Sequence, residues 1–133
     1  MKIKTSNLTG AQLDWAVAKC EGKNVELIGV ENDDDPNKFW HNDTNQFYKF
    51  STNWAVGGPI IGREGIRVGQ TPTYNREKNL FELGGIVAYY PLDLNLEDPP
   101  ESSKGKTYLE AAMRCYVASK LGDEIEIPEE LCK

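Results

Sequence analysis

One histidine, three cysteines and 21 acidic side chains are what this 133-residue chain offers to catalysis. His41 lies in WHNDTN, two residues before Asp43. Such a pair could begin a metal or acid–base site, but there is no second histidine to complete one. Ser–His–Asp or Cys–His chemistry would have to use His41, and no serine stands in a G-x-S-x-G elbow. His41 therefore reads as a solvated loop residue. Cys20, Cys115 and Cys132 are widely spaced and form no CxxC pair, which matches neither a disulfide framework nor a zinc site. Cys20 and Cys115 fall in expected helices, as small buried thiols. Asp33, Asp35 and Asn37 copy the first three ligand positions of a calcium loop. Lys38 stands where that loop needs glycine, and Thr44 where it needs a bidentate Glu. No catalytic set, metal site or cofactor is implied.

The stretch TNWAVGGPIIGREG, residues 52–65, is the one segment that suggests a ligand. It is neither G-x-G-x-x-G nor a P-loop, and Pro59 removes a backbone donor that a phosphate cradle would use. Its plain reading is a helical turn ending at Gly57–Gly58, then a strand PIIG, then a tight turn through REG. Its sharper reading is the wall of a cleft. Trp54 would stack on a base beside Gly57 and Gly58, and Arg63 would meet an anion, with Arg114 and Tyr116 as further partners. The ligand would be small and nucleotide-like.

These residues must be held by a fold that the pattern largely describes. LTGAQLDWAVAKCEG predicts a helix over about residues 10–21. Thr9 and Gln12 form a capping box, Leu8 and Leu13 a staple, and Leu13, Ala16, Val17 and Cys20 one apolar face, with Gly22 as the stop. Strands are expected at 25–30, 46–51 and 66–70, with a polar loop over 31–46 and a connector over 72–79. Residues 80–92 read as a long strand, or a hairpin bulged at Gly84–Gly85. After an open loop at 97–106, Thr107 and Glu110 cap a second helix. Leu109, Met113, Tyr116, Val117 and Leu121 face one way, and the small residues Ala111, Cys115, Ala118 and Ser119 the other. EIEI, 124–127, alternates like an edge strand. The expectation is a single α+β domain, with two helices packed on a mostly antiparallel sheet of about four to six strands.

A net charge of −6 with the acidic run ENDDDPN, 31–37, argues against bulk nucleic acid as a partner. No apolar run approaches a membrane span, and MKIKTSNLTG has no apolar core like that of a secretory signal, so a cytoplasmic location is expected.

Three stretches together, TSNLTGAQLDWAVAKCEG, STNWAVGGPIIGREGI and LEAAMRCYVASKLGDEIEIPEEL, resemble the NinX-like proteins of lambdoid bacteriophages and prophages. The resemblance implies a small accessory protein, made in the cytoplasm of an infected bacterium and dispensable for basic phage growth. It carries over no catalytic residues. Small accessory phage proteins often act by binding, and three functions follow from that context and the residues. The first is non-enzymatic capture of a nucleotide-like ligand, such as a host defence signal. The second is an acidic inhibitor or adaptor acting on a host protein. The third is a metal-dependent nucleotide hydrolase, supported only by scattered carboxylates. The small-residue face of the second helix could also serve as a seam in a homo-oligomer.

Overall fold

The computed structural model describes residues 1–23, 25–27, 39–41, 49–91 and 103–131. Its elements run β1 (Lys2–Lys4), α1 (Gly10–Cys20), β2 (Val25–Leu27), β3 (Phe39–His41), α2 (Trp54–Glu64), β4 (Arg67–Asn75), β5 (Leu80–Tyr89), β6 (Lys104–Gly105), α3 (Tyr108–Leu121) and β7 (Glu124–Glu126). The class is α+β, as the pattern predicts. The described strands form three antiparallel sheets, β1–β7, β2–β3 and β4–β5–β6.

The last helix is the centre of the molecule. Leu109, Ala112, Met113, Tyr116 and Val117 of α3 are buried against Leu13, Ala16 and Val17 of α1, Ile60 of α2 and Ala88 of β5. Each large apolar side chain so enclosed contributes about 1.5–3 kcal/mol relative to exposure. The small side of α3 is covered over its first half, where Ala111 and Cys115 are buried and a Cβ on Gly105 of β6 would lie 2.5 Å from the Ala111 nitrogen. Further along that side Ala118 is half-buried and Ser119 exposed.

The caps of α3 and α1 differ. Thr107 accepts from the Glu110 N–H at 3.0 Å, as expected for α3. At α1 the Thr9 side chain makes no capping bond, and Gln12 instead donates to the Leu131 carbonyl at 3.0 Å, tying the helix to the end of the described chain. Leu8 and Leu13 are both fully buried, and Gly22 stops α1 at φ +70°.

Four expectations give way. The strand expected at PIIG is helix, because α2 runs unbroken through Pro59. Asn53 caps it by accepting from the Ala55 N–H, and Gly65 ends it at φ +71°. Residues 49–51 of the strand expected at 46–51 form a turn, and residues 46–48 lie outside the described residues. The polar loop contains β3, where His41 pairs with Val25 of β2. The connector expected at 72–79 is shorter too, because β4 continues to Asn75.

Candidate functional site

The six residues suggested by sequence do not converge on one place. Trp54 and Arg63 stand at opposite ends of α2, about 14 Å apart along its axis at the usual rise per residue. Trp54 is 54% exposed, and its ring lies along Gly58, where an added Cβ would come within 3.4 Å of Cε3. Gly57 is a packing position. A Cβ there would stand 2.3 Å from the Phe50 carbonyl oxygen and 2.7 Å from Leu109 Cδ1, so only glycine lets α2 settle against α3. Arg114 is buried. Its guanidinium donates to the carbonyls of Leu8 at 2.9 Å and Lys104 at 3.0 Å, and pairs with Glu110 at 3.0 Å. It joins three segments.

Arg63 and Tyr116 do meet. Arg63 forks onto Glu21, with Nη1 to Oε1 at 3.0 Å and Nη2 to Oε2 at 2.7 Å, and also donates to the Tyr116 hydroxyl at 3.2 Å. That hydroxyl donates to Glu21 at 2.7 Å. Glu64 is next in line. It accepts from Tyr90 at 3.2 Å, lies 3.4 Å from Lys120 and takes the Arg63 Nε at 3.4 Å. Tyr90 shares a hydrogen bond with Ser119 at 3.1 Å. Arg63 and Lys120 both lie over the Tyr116 ring, 5.8 and 5.9 Å from its centre. Two cations and two carboxylates thus balance over one aromatic ring.

The electrostatics of this cluster describe closure. The Arg63 fork holds Glu21 below the usual carboxylate range, and the same contact raises the Arg63 guanidinium. Burial, then the Glu21 carboxylate, push the Tyr116 phenol up, and burial brings Tyr90 to about 12. Burial also takes the Cys20 thiol to about 11. Groups that hold their protons so tightly are poor nucleophiles and bases at neutral pH. Asp14 is different: burial raises its carboxyl to about 6, against the Ser51 N–H that it accepts at 2.8 Å. It is only 6% exposed, so this near-neutral group faces backbone and not an open cleft. Among the described residues, no three His, Cys, Asp or Glu side chains stand close enough to hold a metal ion.

A second region was not marked by sequence reasoning. Strands β4 and β5 extend as a two-stranded arm, with Pro72 opposite Leu83 and Tyr74 opposite Phe81. Opposed residues share a face, so these four side chains form one apolar stripe. The Tyr74 and Phe81 rings meet edge to face at 5.1 Å, and the Tyr74 hydroxyl donates to Asn79. Phe81 is 71% and Leu83 74% exposed. The alternation in LFEL, 80–83, was the available signal. Reading 72–79 as a connector removed the partner strand that gives it meaning.

A protein-family model described as Bacteriophage P22, NinX matches residues 4–120, most of the chain. No curated protein matches it. No helix among the described residues is long and apolar enough to cross a membrane.

Proposed function

The chain belongs to the NinX family of bacteriophage proteins, and we propose that it is a non-enzymatic accessory protein that binds a basic protein of the infected cell, as an acidic inhibitor or adaptor in the host cytoplasm. One observation carries this reading. Both guanidinia of the site suggested by sequence are engaged inside the chain, Arg63 by Glu21 and Arg114 by two carbonyls and Glu110. The chain as a whole remains at −6, so its long-range field attracts cations and repels phosphates. The acidic run at Asp33–Asp35 contributes to that field and lies outside the described residues.

The test is recovery of a partner from infected cells at low salt. An acidic contact is screened, so capture should fall steeply between about 50 and 500 mM salt, and should drop when Asp33, Asp34 and Asp35 are changed together to Lys. Capture indifferent to both would sink the proposal.

Capture of a nucleotide-like ligand remains the second reading. It is favoured by the half-exposed Arg63 and Lys120 flanking Tyr116. The ligand's phosphate would have to displace Glu21 from its fork. Native mass spectrometry against mono-, di- and cyclic nucleotides separates the two readings. A stoichiometric adduct lost in Arg63→Ala supports ligand capture, and unshifted masses leave the protein partner.

A further inference from the structure

We propose that the turn of residues 49–53 is a proton-sensitive latch, which Asp14 holds to α1 while its carboxyl is neutral and releases more readily once it ionises. The turn sits between two helices. Its Lys49 carbonyl accepts from the N–H groups of Thr52 at 3.2 Å and Asn53 at 2.8 Å, so the chain folds back just before Asn53 caps α2. On one side the Phe50 carbonyl oxygen rests on Gly57, where an added Cβ would stand 2.3 Å from it. On the other side the Ser51 N–H donates to Asp14 Oδ1 at 2.8 Å, across 37 residues of chain. Phe50 and Ser51 are buried, whereas Thr52, Asn53, Trp54 and Ala55 are exposed.

Two polar groups at this joint are short of partners. Asp14 is 6% and Ser51 5% exposed, and the Ser51 hydroxyl has no hydrogen-bond partner among the described residues. An ionised carboxylate offers about four acceptor positions, and the Ser51 N–H fills one. A neutral carboxyl suits the joint better. Its bare oxygen still accepts the Ser51 N–H, and its O–H becomes a donor beside the buried Ser51 oxygen. One proton then serves both groups and leaves no charge in the interior.

Among the described residues, the charge that acts on Asp14 is Lys49, exposed on the turn itself. Its attraction and the two Ser51 groups favour ionisation, but burial outweighs them and brings the carboxyl to about 6. In an opened turn the carboxyl meets water and returns to the ordinary 3.8, so opening releases a proton. The open-to-closed ratio therefore rises about tenfold per pH unit between about 4 and 6, about a hundredfold in all, and levels off above. At neutral pH the latch is in its weak form. The turn and the start of α2, with Trp54, then open more readily than the buried centre of α3.

The experiment is hydrogen exchange followed by NMR between about pH 4 and 7, with each rate corrected for its intrinsic pH dependence. The amides of 51–57 should lose about a hundredfold in protection from about pH 4 to 6. They should respond little to small additions of denaturant, as local openings do, while the amides of 112–117 in α3 respond steeply. In Asp14→Asn the fall at 51–57 should vanish. A carbon-13 titration of the Asp14 carboxyl in the wild-type protein stands even if that variant fails to fold. Its midpoint should lie at about 6, with the Ser51 amide shift following the same curve. A midpoint near the ordinary 3.8, protection at 51–57 that matches α3 at every denaturant concentration, or an unchanged pH dependence in Asp14→Asn would overturn the proposal.

Discussion

The polar cluster around Tyr116 and the apolar stripe around Phe81 each centre on an aromatic ring and end in opposite states. At the cluster each charged group has its partner within the fold: Arg63 with Glu21, Lys120 with Glu64, and the Tyr116 hydroxyl between Arg63 and Glu21. At the stripe, Phe81 and Leu83 stand mostly exposed opposite Tyr74 and Pro72. The cluster that looked like a site in the sequence behaves as structure, joining α1, α2 and α3. The arm that looked like a connector is the surface with unspent apolar area. An Arg beside an aromatic ring is thus a weak guide to a ligand until its other partners are known.

This contrast can be broken by substitution, beginning with the positions that build the closed side. Gly57→Ala should be the most damaging. Its Cβ would overlap backbone at 2.3 Å, and a loss of about 3 kcal/mol or more is expected in the denaturant midpoint. Tolerance there would mean that α2 is not held where we place it.

Asp14→Asn should act in the other direction and reveal itself through pH. The folded carboxyl titrates near 6 and the unfolded one at the usual 3.8, so the folded state takes up a proton within that window. Stability therefore falls as pH rises from about 4 to 6, by up to about 3 kcal/mol, and the fall is complete above 6. The Asn variant keeps an acceptor for the Ser51 N–H. It should flatten this slope and be the more stable protein at pH 7. Parallel pH profiles for the two proteins would remove Asp14 as the cause.

Arg63→Ala should cost about 1 kcal/mol at pH 7, since its partner Glu21 is largely enclosed but Arg63 itself is half in water. Glu21 is held below its ordinary value, so its contribution is present above the usual carboxylate range and lost as pH falls through the folded value. The wild-type advantage over the variant should shrink on acidification. A constant difference would argue that the fork is not the source. The smallest effect belongs to the open side: Phe81→Ser should change monomer stability by no more than about 0.5 kcal/mol. A larger loss would show that the stripe is covered within the chain.

Much of the frame was legible in the sequence. The apolar stripe of α1, the Thr107 cap, the helix-ending Gly22 and the final strand all carry local signals, and local physics decided them. α2 was not, because Gly57, Gly58 and Pro59 are poor helix formers and burial of Ile60 beside α3 overrode them. Its real signals, Asn53 at one end and Gly65 at the other, were outweighed by the glycines between. β1 and β6 span three and two residues, too short for any period to show. The cluster was half legible. Arg63 and Tyr116 were named, but Glu21, Glu64, Tyr90 and Lys120 reach them only through the packing of three helices. Asp14 gave no signal, since a buried carboxyl next to an apolar stripe reads like any polar neighbour.

The staple made by Arg114 also has a consequence for synthesis on the ribosome. Arg114 reaches Leu8 across a separation of 106 residues while also holding Lys104, and the core of α1 closes on α3. As the chain emerges, α1 and then the arm appear without the helix they need, and their apolar faces wait in water or with chaperones. Completion of α3 is therefore the step that turns a soft, protease-sensitive nascent chain into a cooperative unit. A stop codon placed anywhere before Val117 should yield degradation, not a working fragment.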